Sequence, residues 1–374
     1  MAYLEKRPRK SGATAYLVRW TDKGTGESMS EKLDNLADAR FLLTVLKAHD
    51  SDTEAAHQNA ATFYAETYTV AKMVKEHIDL LTGVNGYTIR RYRGNLKNHL
   101  TDGLGTMDAH QIGYRDDVEW VQVMEAKGLS AKTIANVHGL LSAAFNTMVK
   151  QKKRTDNPCK GISLPKNDST DEPATFLTKD EWARLRRLVN EPHRALFEFL
   201  ALTGLRFSEA TALYAKDFET GSRGLTTVKI NRAWTRDEDN VPYLGPPKTP
   251  QSRRKVVVDR QLEIRIRPLL THSAKTGAHV FLNRDGERMD HSAAWHAWNR
   301  AVDKAVAAGL GRRPRIHDLR HSNASWLLQA GLDMFKLQKH LGHKSITTTI
   351  NRYSHLLPEA YDDAAAAMDR AFGS

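Results

Sequence analysis

Cysteine is almost missing from this 374-residue chain, which has Cys159 alone. A disulfide framework within the chain is thereby excluded, as is any cysteine-rich zinc module. Nothing around Cys159 in the sequence looks built to activate a thiolate, so it reads as inert. Long apolar runs are missing too. No stretch approaches the roughly 20 apolar residues of a membrane helix. The basic start, MAYLEKRPRKSGATAY, lacks the apolar segment that follows in a secretory signal, so a cytosolic chain is expected. There is no internal repeat, and no low-complexity tract beyond Ala364–Ala367. Acidic residues are in deficit, 44 against 56 Lys plus Arg, for a net charge of +12. That excess favours a polyanionic partner, nucleic acid first and a membrane surface second. The 40% hydrophobic content is enough for packed cores, and the length suits two or three domains.

The charge is unevenly placed. Residues 1–60 carry 9 basic and 9 acidic side chains, residues 61–173 carry 15 and 13, and residues 174–374 carry 32 and 22. The last segment therefore holds most of the excess. The first is neutral, but its basic residues are front-loaded, with Lys6, Arg7, Arg9, Lys10 and Arg19 near the start. A solvated cationic surface is the plain alternative to a binding face.

The pattern predicts a multidomain, mainly α chain with small β-sheets. TAYLVRW (14–20) and ESMSEKL (27–33) read as a hairpin across the turn DKGTG. A helix follows over LADARFLLTVLKAH, giving a small module over residues 1–60. Residues 50–68 read as a polar linker, and from 69 to about 155 the pattern reads as helical throughout. The helix GYTIRRYRGNLKNHL carries Arg90, Arg91, Arg93 and Lys97 with Tyr87 and Tyr92 interleaved, a face able to follow a phosphate backbone. Ser130 caps the next long helix and, with Lys132 and Thr133, offers a second backbone-binding start. Residues 156–173, with three prolines, read as a linker. Thr178 and Glu181 form a capping box that opens a third segment, 174–374. Its best strands are TTVKI and KVVVD, and helices resume from about 291.

Four islands in that segment carry candidate chemistry. TGLRFSEATAL places Arg206 after a helix-ending glycine, with Ser208 as a cap and Glu209 as a brace. PPKTPQSRRKVVVD places Lys248 in a turn between strands, with Arg253, Arg254 and Lys255 close by. RIHDLRHSNASWLLQAG sets His317 and Arg320 three apart on one helix face, with His321 following. LQKHLGHKSITTTINRYSHL holds His340, His343 and Tyr353.

Together these islands resemble the tyrosine recombinase family in its phage-integrase branch, whose pattern runs Arg, Lys, His-x-x-Arg, His or Trp, Tyr. Here it reads Arg206, Lys248, His317-Asp318-Leu319-Arg320, His343, Tyr353. The overall sequence is similar to integrases of temperate mycobacteriophages. The resemblance is most specific over 174–356 and weaker over 1–170. It implies an arm-type DNA-binding module (1–60), a helical SAM-like core-binding domain (65–160) and a mixed α/β catalytic domain (174–374). The last two would form a C-shaped clamp, and the tail after Tyr353 would dock on a neighbouring subunit or on its own domain. The implied activity is strand cleavage and rejoining through a 3′-phosphotyrosine and a Holliday junction, integrating and excising phage DNA. Tyr353 would be the nucleophile, Lys248 the acid for the leaving 5′-oxygen, and Arg206, Arg320 and His343 the phosphate clamp. His317 would act as base or phosphate contact, and Glu209 would support the site. No cofactor and no catalytic metal are expected. The implied partners are double-stranded core-type and arm-type sites, a homotetramer on DNA, a host DNA-bending factor and a phage excisionase. The setting would be the host cytoplasm, on the nucleoid, with no membrane partner. DNA contacts would come from Lys6, Arg7, Arg9, Lys10, Arg19, Arg90, Arg91, Arg93, Lys97, Lys132, Arg253 and Arg254.

Three other readings compete. A non-catalytic DNA-binding regulator explains the charge but not the ordered Arg, His and Tyr set. A metal hydrolase is suggested by His317 with His321 and His340 with His343, but H-D-L-R-H lacks the glutamate of H-E-x-x-H, and Arg320 disfavours a cation. A topoisomerase-like relaxing enzyme shares the chemistry but needs no arm-binding module.

Overall fold

In the computed structural model the described residues are 2–8, 14–33, 36–56, 67–166, 175–222, 224–247, 249–354 and 368–369. The chain divides into two compact units, residues 1–169 with 237–240, and residues 170–236 with 241–374. Arg9, Lys10, Lys248 and nearly all of the tail after Tyr353 lie outside the described residues.

The first unit opens with an antiparallel sheet of β1 (Tyr3–Pro8), β2 (Thr14–Thr21) and β3 (Ser28–Leu33). The hairpin β2–β3 matches the sequence reading, and β1 is an addition to it. Glu5, Lys6, Arg7 and Pro8 hide the strand's alternation, yet Leu4 pairs with Val18 in register. One sheet face and α1 (Leu36–Ala48) enclose Val18, Trp20, Ala39, Val45 and Leu46. Trp20 Nε1 donates to Thr53 Oγ1 at 2.8 Å, so the indole is buried without an orphan donor.

A separate apolar cluster lies among α2 (Val70–Asp79), α3 (Gly86–His99), α4 (Tyr114–Ala126) and α5 (Ala131–Lys150). The helix starts are chemically marked. Thr69 accepts from Lys72 N, Asn85 from Tyr87 N and Ser130 from Thr133 N, each satisfying a donor the helix leaves unpaired. Along α5, Ile134, Val137, Leu141, Ala144, Phe145 and Met148 recur at helical spacing and form the buried stripe.

The second unit begins with α6 (Lys179–Leu188), opened by the Thr178–Glu181 capping box as expected. It continues through α7 (His193–Thr203) and the single turn α8 (Phe207–Ala210). Strands β4 (Phe218–Thr220), β5 (Thr226–Ile230) and β8 (Arg254–Val258) form one antiparallel sheet, and β6 (Ala233–Arg236) with β7 (Pro242–Gly245) forms a hairpin. Helix α9 (Arg260–Thr276) precedes the helices expected from 291, its pattern interrupted by Pro268. Then come α10 (His291–Ala307), α11 (Asp318–Gln329), α12 (Met334–Leu341) and α13 (Ile346–Tyr353). The core gathers Phe197, Phe199, Val228, Val256, Phe281 and Trp298. Among the described residues no helix is long and apolar enough to cross a membrane.

Candidate active site

Every described residue of the expected catalytic set falls in the second unit, and one helix organises it. Helix α11 is buried along most of its length despite its polar sequence, because its side chains are spent on fixed partners. Ser322 Oγ accepts from Leu177 N at 2.9 Å, and Asn323 Nδ2 donates to Ala201 O at 3.0 Å. Arg320 is 2% exposed. Its guanidinium donates to Gly204 O at 2.6 Å and to Leu341 O. Burial first, then the neighbouring Arg206 and Arg254, lower its pKa to about 9, so it stays charged at neutral pH.

The acceptor Gly204 O depends on glycine. Gly204 ends α7 at φ +64, and a Cβ there would meet Asn323 Oδ1 at 2.6 Å. The turn delivers Arg206, which caps α8 in place of the expected Ser208: Arg206 N donates to Glu209 Oε2 at 3.0 Å. Arg206 NH1 donates to Glu209 Oε1 at 2.8 Å. Glu209 is itself 2% exposed and receives Arg254 at 3.0 Å on its other oxygen. Burial pushes its pKa up, but the Arg254 charge and hydrogen bond, followed by Arg206, hold it at about 2.

Arg254 corrects an expectation. It was expected to face DNA, yet its side chain is 6% exposed and also donates to His340 O at 2.7 Å. It braces the site from within. The signal was present in β8: Arg254, Val256 and Val258 share the inward face of a strand whose side chains alternate.

Helix α12 ends at Gly342 in the left-handed region, φ +68, and the chain turns back to place His343. His343 Nδ1 lies 2.9 Å from Thr349 Oγ1. Ser345 then caps α13, which sets Thr349 and Tyr353 four apart on one buried face. Tyr353 is 0% exposed, among Ala324, Leu328, Leu337 and Leu341. Its hydroxyl lies 2.8 Å from His321 Nδ1, and its ring stacks parallel to His343 with centroids 6.5 Å apart. Burial pushes the phenol above its ordinary value, against the pull of Arg320 and Arg352.

His317 precedes α11 and crosses His321 edge-on, ring centroids 5.0 Å apart. Surrounding protein and then Arg320 and Arg206 lower His317 to about 4. Burial and then His317 lower His321 to about 4, and burial and then Arg320 and Arg206 lower His343 to about 3. All three are neutral at pH 7. Arg206 and His317 line a cavity of about 310 Å³ with Arg236, Arg288, Trp234 and Asp290. The Arg288 guanidinium lies 4.5 Å from the centre of the Trp234 ring. The arrangement is a concave, arginine-lined site with neutral imidazoles and a phenol behind it, suited to an anionic phosphate. Among the described residues these histidines do not gather into a set of three metal-ligating atoms.

Sequence reasoning did not find His321 as the phenol's partner, Thr349 as the partner of His343, or Asn323 and the backbone of His340 as supports of the site. Only the helix spacing from Tyr353 to Thr349 hinted at any of them. The expected DNA contacts are dispersed. Lys6 pairs with Glu119 at 3.2 Å, and Arg7 and Arg19 both lie on Glu5, at 2.9 and 3.3 Å. Arg90, Arg91, Arg93 and Lys97 are exposed on α3, with Arg93 3.9 Å from Asp79, and Lys132 and Arg253 are exposed as well.

Residues 175–360 match the model of the phage integrase family. The chain is 29% identical over 306 residues to the tyrosine recombinase XerD of Mycobacterium tuberculosis, covering 75% of this chain and 92% of that one. It is 26% identical over 300 residues to the ICEBs1 integrase of Bacillus subtilis, covering 76% and 77%. The Tn1549 transposon integrase, solved in complex with transposon right end DNA, superposes with a TM-score of 0.68 at 25% identity, over 82% of this chain and 100% of that one. A lambda integrase tetramer bound to a Holliday junction shares the fold, with a TM-score of 0.54 at 17% identity, over 91% and 96%. With the ordered Arg, His and Tyr residues converging in one unit, the chain belongs to the tyrosine recombinase family and is a site-specific recombinase.

Proposed function

We propose that this recombinase cleaves DNA with Tyr353 and holds the scissile phosphate between Arg206 and Arg320. The observation that carries the reading is a buried phenol held by a neutral imidazole beside two guanidinium groups fixed by a carboxylate and two carbonyls. Negative charge grows on the non-bridging oxygens as the phosphorus becomes five-coordinate. Preorganised planar cations stabilise that charge without having to reorient. His317 and His343, neutral at pH 7, are hydrogen-bond partners for the same oxygens. The Tyr353 oxygen bonds to phosphorus, its proton passes to an imidazole, and the P–O5′ bond breaks. Lys248 supplies the proton to the leaving 5′-oxygen. The product is a 3′-phosphotyrosine, which conserves the phosphodiester as a covalent intermediate. A 5′-hydroxyl from another strand then attacks it and releases the tyrosine.

Because Tyr353 is fully buried, it has to turn out of its apolar cluster to attack. His321, rather than His317, meets its hydroxyl in this conformation and is the nearer proton acceptor. The wider assembly follows the same reading. Residues 1–60 bind arm-type sites and residues 65–160 bind core-type sites. Four subunits exchange strands through a Holliday junction, with a bending factor and an excisionase setting direction. Support comes from the basic excess over 174–374 and from the exposed cations of α3.

The test uses a nicked suicide substrate carrying a core site. The parent forms a covalent adduct, and Tyr353→Phe binds the same DNA without forming one. An adduct with the variant would move the nucleophile elsewhere.

A further inference from the structure

We infer that Asp117, His138 and Cys159 form a structural site for one divalent transition-metal ion, Zn²⁺ by its chemistry, inside the helical part of the first unit. The three residues come from different elements: the first turn of α4, the middle of α5, and the turn after Asn157 and Pro158. One ligand-capable atom from each lies within 4.8 Å of the other two, and all three residues are buried. His138 Nε2 is 2.9 Å from Asp117 Oδ2. Asp117 is 0% exposed, yet its Oδ1 meets no hydrogen-bond partner among the described residues. Cys159 lies against the same carboxylate. A buried carboxylate oxygen without a donor is costly, and a cation in contact removes that cost.

The donor set also balances charge. A carboxylate and a thiolate neutralise a doubly charged ion, and the imidazole adds a neutral nitrogen. Thiolate, imidazole and carboxylate are the ligand types Zn²⁺ takes, with a solvent oxygen for the fourth position. The cysteine is held in place beforehand. Cys159 N donates to Asn157 Oδ1 at 3.0 Å, while Asn157 Nδ2 donates to Ser142 O and Asn146 Oδ1 on α5. The ion would therefore clamp the turn at 157–159 onto α4 and α5, a structural task independent of the phosphate chemistry.

The experiment uses the full-length, tag-free chain and Co²⁺ as a spectroscopic probe, followed by displacement with Zn²⁺. The expected result is one Co²⁺ per chain, with a thiolate-to-cobalt charge-transfer band that Zn²⁺ abolishes. Saturating Zn²⁺ should raise the melting temperature by about 5 °C. Cys159→Ser and His138→Gln should lose the band, whereas His317→Ala combined with His343→Ala should keep it. Absence of the band in the parent overturns the inference without any variant. So does a band that survives Cys159→Ser, or one lost in the active-site double variant.

Discussion

Replacing Glu209 by Gln removes one negative charge from between two arginines and changes almost nothing in shape. Arg254 then stands in the interior without its counter-ion, and Arg206 loses the group that aims it. Two routes give the magnitude. A carboxyl held at about 2 instead of its ordinary 4.5 contributes about 3 kcal/mol to folding at neutral pH. Breaking a buried ion pair from one side costs about 3–5 kcal/mol. The agreement sets an expected loss of about 3 kcal/mol at pH 7. The sign fixes its pH course. The folded carboxyl is the stronger acid, so its contribution is complete above pH 4.5 and disappears as pH falls through 2. Gln imitates the protonated acid, so the parent and the variant should converge at the acid end. Urea-dependent hydrogen exchange of α11 reads the opening of this unit separately from residues 1–169. Single-turnover cleavage should also fall about tenfold or more, equivalent to about 1.4 kcal/mol of barrier. A loss below about 1 kcal/mol at pH 7, or a difference that stays constant into the acid range, would refute the electrostatic brace.

Gly204→Ala should destabilise the catalytic unit by about 1–2 kcal/mol and slow cleavage, since its Cβ strikes Asn323 and displaces the carbonyl that holds Arg320; thermal melts and adduct yield check both. His321 and His343 are buried neutral, so the unfolded chain binds their protons first. Their contribution to stability is complete above pH 6.5 and is lost as pH falls through about 4 and about 3 respectively, which His321→Phe should flatten in urea titrations across that window. Arg254→Met should reduce cleavage while leaving affinity for a core-site duplex unchanged and its salt slope intact, because the side chain faces Glu209 rather than solvent; a reduced salt slope would place it on DNA.

Much of the site was legible because its residues sit in stretches of local, self-contained chemistry. The glycine that ends α7 ahead of Arg206 and the capping box at Thr178 each act within a few residues, so pattern and geometry coincide. The contacts that stayed hidden are long-range. Arg254 reaches Glu209 across 45 residues and His321 reaches Tyr353 across 32, distances over which side-chain spacing carries no phase. Strand β1 was missed because charge masks its alternation, and α9 because Pro268 interrupts an otherwise helical pattern. Cys159 looked inert in the sequence because its neighbours there are unremarkable. His138, twenty-one residues before it, and Asp117, twenty-one before His138, meet it only after folding.

If Tyr353 becomes joined to DNA, mass spectrometry of the trapped complex locates the bond. Nuclease and protease digestion of the suicide-substrate adduct should leave one modified peptide, with the 3′-phosphate on the Tyr353 oxygen. A nucleotide on any other side chain, or recombination without a covalent intermediate, would contradict it.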